Sequence, residues 1–137
     1  MNRLKGIIIA VESNSHMALV DVAVGDEVFS ATLLETPATA SYLQVGQAVT
    51  LLFKETEVSL ARNLTGLISL RNRFPVAITD IERGTILSAI RLGFQGNPLT
   101  SVVTTRAVER LQLAVGDVVE ALVKANEIAL MEGHDDA

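Results

Sequence analysis

The sequence predicts an all-β chain made of two tandem copies of one five-stranded barrel, each copy with one short helix. Three observations carry this reading. The sequence repeats itself at an interval of 70 residues. Runs rich in β-branched residues fall at matching places in both copies. Turn signals recur at regular spacing, with little helical pattern between them.

The repeat comes first, because it sets the domain plan. Shifted by 70, Asn2-Arg3 falls on Asn72-Arg73, Ile8 on Ile78 and Glu12 on Glu82. Leu43-x-Val45-Gly46 falls on Leu113-x-Val115-Gly116, Lys54 on Lys124, Glu57 on Glu127 and Leu60 on Leu130. Twelve of the 61 pairs between 2–62 and 72–132 are identical, where average residue usage gives about four by chance. Shared β-rich composition does not keep a Val-Gly turn and the Lys after it at one spacing, so duplication is the better reading. The expected boundaries are 1–62 for the first barrel, 63–132 for the second and 133–137 for an acidic tail.

The elements follow in order. The β-branched runs 7–11 and 76–81 open the copies. Residues 19–24 form a strand ending at the turn Gly25-Asp26, and 28–33 return from it. Thr36-Pro37 reads as an N-cap with proline at the first helical position, starting a helix to Leu43. In the second copy Thr104 or Thr105 caps a helix to Leu113. Each Val-Gly turn is followed by an apolar strand, 48–53 or 118–123, ending on Lys, and then by a short strand at 58–60 or 128–131. Five strands and one short helix match a small oligonucleotide/oligosaccharide-binding (OB)-type barrel. The joining stretch 61–71 carries Leu64, Leu67, Ile68 and Leu70, too apolar for a solvated linker, so the barrels are expected to pack rigidly.

Composition excludes several functions. Net charge is −5, with 11 Lys and Arg that form no basic run. Nucleic-acid binding rests on clustered positive charge, and an OB surface also needs stacking aromatics. Four Phe, one Tyr and no Trp do not supply them. Cysteine is absent, which removes disulfides and thiolate metal sites. The apolar run 7–11 is too short for a signal peptide and Glu12 ends it, and every other apolar stretch falls short of a membrane span. A cytoplasmic, soluble protein is expected. Apolar residues make up 49% of 137 residues at a mean hydropathy of +0.39. Small domains have little interior, so some of this surface is expected to be covered in a homo-oligomer.

Catalytic chemistry has few carriers. The two histidines are His16, in a turn, and His134, in a frayed acidic tail, and a general base needs a positioned partner. Nucleophile-elbow, phosphate-loop and zinc-helix patterns are absent from these residues. Asp135-Asp136 supplies too few oxygens for calcium. The expectation is a protein that is not an enzyme and has no resident metal or organic cofactor.

One constellation stands out. In the second copy, Ser69-Leu70-Arg71-Asn72 precedes the first strand, Thr104-Thr105 opens the helix, and Lys124-Ala125 follows the fourth strand. The hydroxyls, the helix start, the guanidinium and the ammonium are all donors, and none is an acid. A dianion leaves water only where each oxygen is satisfied, and a helix start attracts negative charge.

These residues resemble the molybdate-binding Mop family, also called the transport-associated OB (TOBE) family. The likeness lies in Ser69-x-Arg71-Asn72 and in Leu113-x-Val115-Gly116 running to Lys124-Ala125, and it covers nearly the whole chain as two repeats. The resemblance implies tandem OB barrels, oligomers, and oxyanion sites at module or subunit interfaces. It places ligand contacts at Ser69, Arg71, Thr104, Lys124 and the backbone of Ala125, with Lys54, Arg62, Thr105 and Asn72 as secondary candidates. The ligand it implies is molybdate or tungstate.

Departures from the pattern divide the copies. The family glycine four residues after Asn is Gly6 in copy one and Val76 in copy two, and a second hydroxyl three residues after Thr104 is replaced by Ala107. In copy one the Thr104 equivalent is Leu34, the Ala125 equivalent is Glu55, and no Ser-x-Arg precedes Asn2. Copy two is expected to carry the complete site and copy one to be mainly structural. The expected function is storage, buffering or homeostasis of molybdate or tungstate. The alternative is a TOBE-type module that senses another small anion or docks a partner protein. These residues hold no ATPase motif and no DNA-binding helical segment, so neither a transporter engine nor a complete regulator is expected.

Overall fold

The computed structural model describes residues 1–134. In chain order the elements are β1 (Asn2–Ser13), β2 (Ala18–Val24), β3 (Glu27–Leu33), β4 (Ala48–Phe53), a 3-10 turn at Glu55–Glu57, β5 (Ser59–Ala61), β6 (Asn72–Arg83), β7 (Leu87–Phe94), β8 (Asn97–Thr104), α1 (Thr105–Leu111), β9 (Val118–Val123), a second 3-10 turn at Ala125–Glu127, and β10 (Ala129–Glu132). They form two five-stranded sheets, ordered β10-β4-β1-β2-β3 and β5-β9-β6-β7-β8. The predicted all-β plan of five strands per module holds. Among the described residues no helix is long and apolar enough to cross a membrane.

The compact units do not follow the repeat boundary at 62/63. Of the described residues, one unit contains Met1, 3–53 and 124–134, and the other contains 54–123 together with Asn2. The reason is strand pairing. β10, from the second repeat, runs antiparallel to β4, with Leu130 opposite Leu51. β5, from the first repeat, runs antiparallel to β9, with Leu60 opposite Ala121.

In the first unit β1 alternates, burying Leu4, Gly6 and Ile8. A β-carbon at Gly6 would stand 2.5 Å from Val22 Cγ1 and 2.7 Å from Ala23 O, so no larger residue fits. The core gathers Leu4, Ile8, Val20, Val22, Phe29, Leu43, Leu51 and Phe53. In the second unit Val76 replaces the glycine and is itself buried beside Phe74, Ile78, Ile90, Leu92 and Phe94. Phe74 and Phe94 meet edge to face, 4.9 Å between centroids, a favoured arrangement.

Both units share one fastening. The β1–β2 register slips between Ile8 and Ala10, and the β6–β7 register slips between Ile78 and Asp80. At each bulge the Val-Gly turn bonds the long strand. Gly46 N donates to Ile8 O and Gly116 N to Ile78 O, both at 2.8 Å. These glycines have φ of 93° and 94°, a conformation costly for any residue with a β-carbon.

Several expectations need correction. The helix expected from Thr36 to Leu43 does not form; among the described residues α1 is the one α-helix, and 37–39 and 41–42 are turns. Thr36 is not an N-cap here. Its N–H donates to Thr39 Oγ1 at 2.9 Å, and its carbonyl accepts from Thr39 N and Ala40 N. Threonine hydroxyls compete for the backbone in this way. The expected apolar packing of 61–71 is partial, since Leu64 and Leu70 are half-buried while Leu67 is fully exposed and Ile68 exposed. His134 is not frayed: its Nε2 lies 3.1 Å from Gly6 O, and Gly133 N donates to Ala48 O. Asp135-Asp136 lie outside the described residues.

Candidate functional site

The second unit contains all the predicted contacts except Lys124 and Ala125, which belong to the first. Ser69 and Arg71 are exposed, on the 62–71 stretch that runs from β5 to β6. Two arginines hold this stretch. Arg62 Nε donates to Leu111 O at 2.8 Å, its Nη2 donates to Gln112 O at 3.1 Å, and it pairs with Asp117. Gln112 is the left-handed C-cap of α1, so Arg62 satisfies the carbonyls that a helix leaves free at its end. Arg73 pairs with both oxygens of Glu120 at 2.9 and 3.1 Å and reaches Leu64 O at 3.4 Å.

These pairs hold their carboxyls below the usual carboxylate range. For Asp117 the hydrogen bond from Arg62 is the largest cause, followed by that from the Ala114 N–H. For Glu120 the hydrogen bond from Arg73 leads.

Asn72, a secondary candidate, is buried, and its Nδ2 donates to Val123 O at 3.0 Å. Its repeat mate Asn2 bonds the Thr100 main chain in both directions at 2.8 Å. In both copies this asparagine thus ties its side chain to the main chain of another strand.

Thr104 and Thr105 differ sharply. Thr104 is the N-cap of α1, and its Oγ1 accepts from Ala107 N at 3.1 Å. An accepting hydroxyl still has a hydrogen to give, and that hydrogen has no acceptor among the described residues. Thr105 Oγ1 instead donates to Gly84 O at 2.8 Å and lies 2.8 Å from Ser88 Oγ. Its hydrogen is already committed.

Lys54 and Lys124 are exposed, each directly ahead of a 3-10 turn, with the carbonyl accepting from Glu57 N and Glu127 N at 3.0 Å. Ala125 is half-buried, and its carbonyl accepts from Ile128 N. Among the described residues Arg71, Lys54 and Lys124 have no ion pair, in contrast to Arg62, Arg73 and Arg91. A cation without an ion pair, like a hydroxyl with a hydrogen to give, is a donor of the kind an anion needs. Among the described residues no group of three or more His, Asp or Glu is placed to hold a metal ion.

Sequence reasoning missed Ser88, Gly84 and the Arg73–Glu120 pair. The pair had a signal. Arg73 faces Leu122 and Pro75 faces Glu120, so Arg73 and Glu120 are diagonal neighbours on antiparallel strands, close enough for long side chains. Ser88 and Gly84 had none, because their role depends on where α1 docks.

Comparison with known proteins agrees with the repeat. Residues 68–130 match the TOBE domain. The chain is 46% identical over 78 residues to the molybdenum import ATP-binding protein ModC of Brucella abortus (strain 2308), covering 56% of this chain and 22% of that protein. It is 29% identical over 137 residues to the molybdenum transport protein ModE of Herbaspirillum seropedicae, covering 98% of this chain and 51% of that protein. The chain thus spans about a fifth and about half of these two relatives. The cytoplasmic molybdate-binding protein ModG, solved with molybdate bound, superposes with a TM-score of 0.87 at 29% identity, covering 94% of each chain. With the TOBE match on its second repeat, a molybdate-binding relative superposing along its length and one fastening repeated at an interval of 70, the chain carries a TOBE domain at 68–130 and is similar along its length to ModG and to about half of ModE.

Proposed function

We propose that this protein binds a tetrahedral oxyanion, molybdate or tungstate, and stores or buffers it in the cytoplasm without catalysing a reaction. The observation that supports this reading is that Arg71, Thr104 and Lys124 each keep donors uncommitted among the described residues, in a chain whose fold superposes on ModG, solved with molybdate bound. Among the described residues Arg71 and Lys124 are exposed cations without ion pairs, and Thr104 keeps a hydroxyl hydrogen to give. Ser69 and the Ala125 backbone complete the proposed contacts. Arg62, Asn72 and Thr105 are occupied in the fold and drop to supporting roles, while Lys54 stays a secondary candidate. The site is completed where copies of the chain meet in a homo-oligomer, which also covers part of the apolar surface. Neither nucleic acid nor membrane is a partner in this reading.

The chain's match to only part of ModC and ModE favours one second reading. The same oxyanion site would then sense or hand on its ligand within a larger transport system.

Titrating the full chain with molybdate, tungstate, sulfate and phosphate, by calorimetry and thermal shift, tests the proposal. A ligand that binds only the folded state stabilises it by about 2.7 kcal/mol at a hundredfold excess over Kd. Stabilisation by molybdate and tungstate alone is expected. No response to any of the four anions would overturn the reading.

A further inference from the structure

Thr105 begins α1, and three hydrogen bonds fix it. Its N–H donates to Ile86 O at 2.8 Å. Its hydroxyl donates to Gly84 O and so receives the hydrogen of Ser88 Oγ, each at 2.8 Å. Ser88 is buried, 1% exposed, on β7, so its hydroxyl needs this partner. Gly84 is in turn held by its surroundings, because a β-carbon there would stand 2.3 Å from Leu87 O. The anchor ties the first residue of the helix to the β6–β7 turn. Thr104, one residue earlier, has its Cα opposite Leu87 across β7 and β8.

Copy one lacks every part of this anchor. The equivalents of Thr105, Ser88 and Gly84 are Glu35, Ala18 and Asn14. Copy one also lacks the helix and has Leu34 in place of Thr104.

We propose that Thr105, buttressed by Ser88, is a positioning residue that aims the Thr104 hydroxyl at the bound oxyanion. This rests on the oxyanion reading above and refines it. Thr105 does not touch the anion. It fixes the backbone from which Thr104 reaches, so less ordering is needed when the ligand arrives.

The experiment is a double-mutant cycle on the full chain, with molybdate affinity read by calorimetry. Thr104→Ala and Thr105→Val should each weaken molybdate binding about tenfold, the size of one lost hydrogen bond to a charged group. Thr105→Ser, which keeps the hydroxyl, should bind like the wild type. Thr105→Val in the Thr104→Ala background should cost less than about twofold, because the anchor then has nothing to aim. Ser88→Ala is the milder variant should Thr105→Val fold poorly, with an expected loss of about threefold. Ligand-free hydrogen exchange at the Ala107 amide should quicken in Thr105→Val. Equal losses in both backgrounds, or a Thr105→Val protein that binds like the wild type, overturn the inference and leave the oxyanion reading standing. A wild type that binds no molybdate overturns both.

Discussion

Residues 34–46 and 104–116 occupy the same stretch of the repeat and end on the same glycine turn, yet they fold differently. The second is a capped helix with Val108 buried beneath it. The first is a string of turns. Thr-Arg-Ala-Val-Glu-Arg-Leu is rich in good helix formers, whereas Thr-Pro-Ala-Thr-Ala-Ser-Tyr is not. Propensity over one or two turns decides little by itself. The second helix has an anchor at its start, Thr105 on Gly84, and a clamp at its end supplied by the last residue of the first copy, Arg62 on Leu111 and Gln112. The Val-Gly fastening is alike in both copies, and the contacts that hold a helix start and end occur around the second helix alone among the described residues.

The comparison breaks most visibly in binding. In the proposed site Lys124 gives a charge-assisted hydrogen bond, so Lys124→Ala should weaken molybdate affinity roughly 10- to 100-fold, while Lys54→Ala should shift it less than about threefold. Equal losses measured by calorimetry would erase the functional difference between copies. Gly84→Ala comes next. Its β-carbon has no room against Leu87 O, so overpacking should cost about 1–3 kcal/mol. At the matching position Asn14 caps a turn by accepting from His16 N and Met17 N, and Asn14→Ala should cost about 1 kcal/mol. Urea midpoints of the two variants check the ranking. Where the copies agree, the effects should agree. Gly46→Ala and Gly116→Ala force a β-carbon into nearly the same left-handed geometry, and each should cost about 1–2 kcal/mol. A large inequality would mean that the shared fastening is not shared in energy.

The strands were legible because β-branched runs and a repeated Val-Gly turn mark them locally. Residues 48–53 and 118–123 are strands end to end, as expected. The exchange of the last strands was not legible, since residues 58–60 and 128–131 carry the same pattern whichever sheet they join. The helix in copy one misled because Thr36-Pro37 is a sound start signal, and nothing local revealed that Thr39 would take the Thr36 N–H. At the candidate site, residue types were readable and commitments were not. Arg62 and Arg71 look alike in sequence. One is consumed by carbonyls and Asp117 that lie far along the chain, and the other has no ion pair among the described residues.

That distinction yields the smallest effect and a pH dependence. Arg62 holds the Asp117 carboxyl below its ordinary value of 3.8 in the folded chain. A carboxyl whose pKa is lower folded than unfolded adds stability above the unfolded value, and the gain is lost as pH falls through the folded one. The wild type should therefore melt above Asp117→Asn at neutral pH. The gap should start to close near the ordinary carboxylate value and vanish at lower pH. Gln47 stands at the matching position in copy one, and Gln47→Glu meets no repeat mate of Arg62, because that place holds Glu132. It should show no such acid-sensitive gain. Thermal melts of these two variants beside the wild type, from neutral pH into the acid range, measure the contrast. A gap for Asp117→Asn that stays constant with pH would mean that the Arg62 clamp works through the helix carbonyls alone.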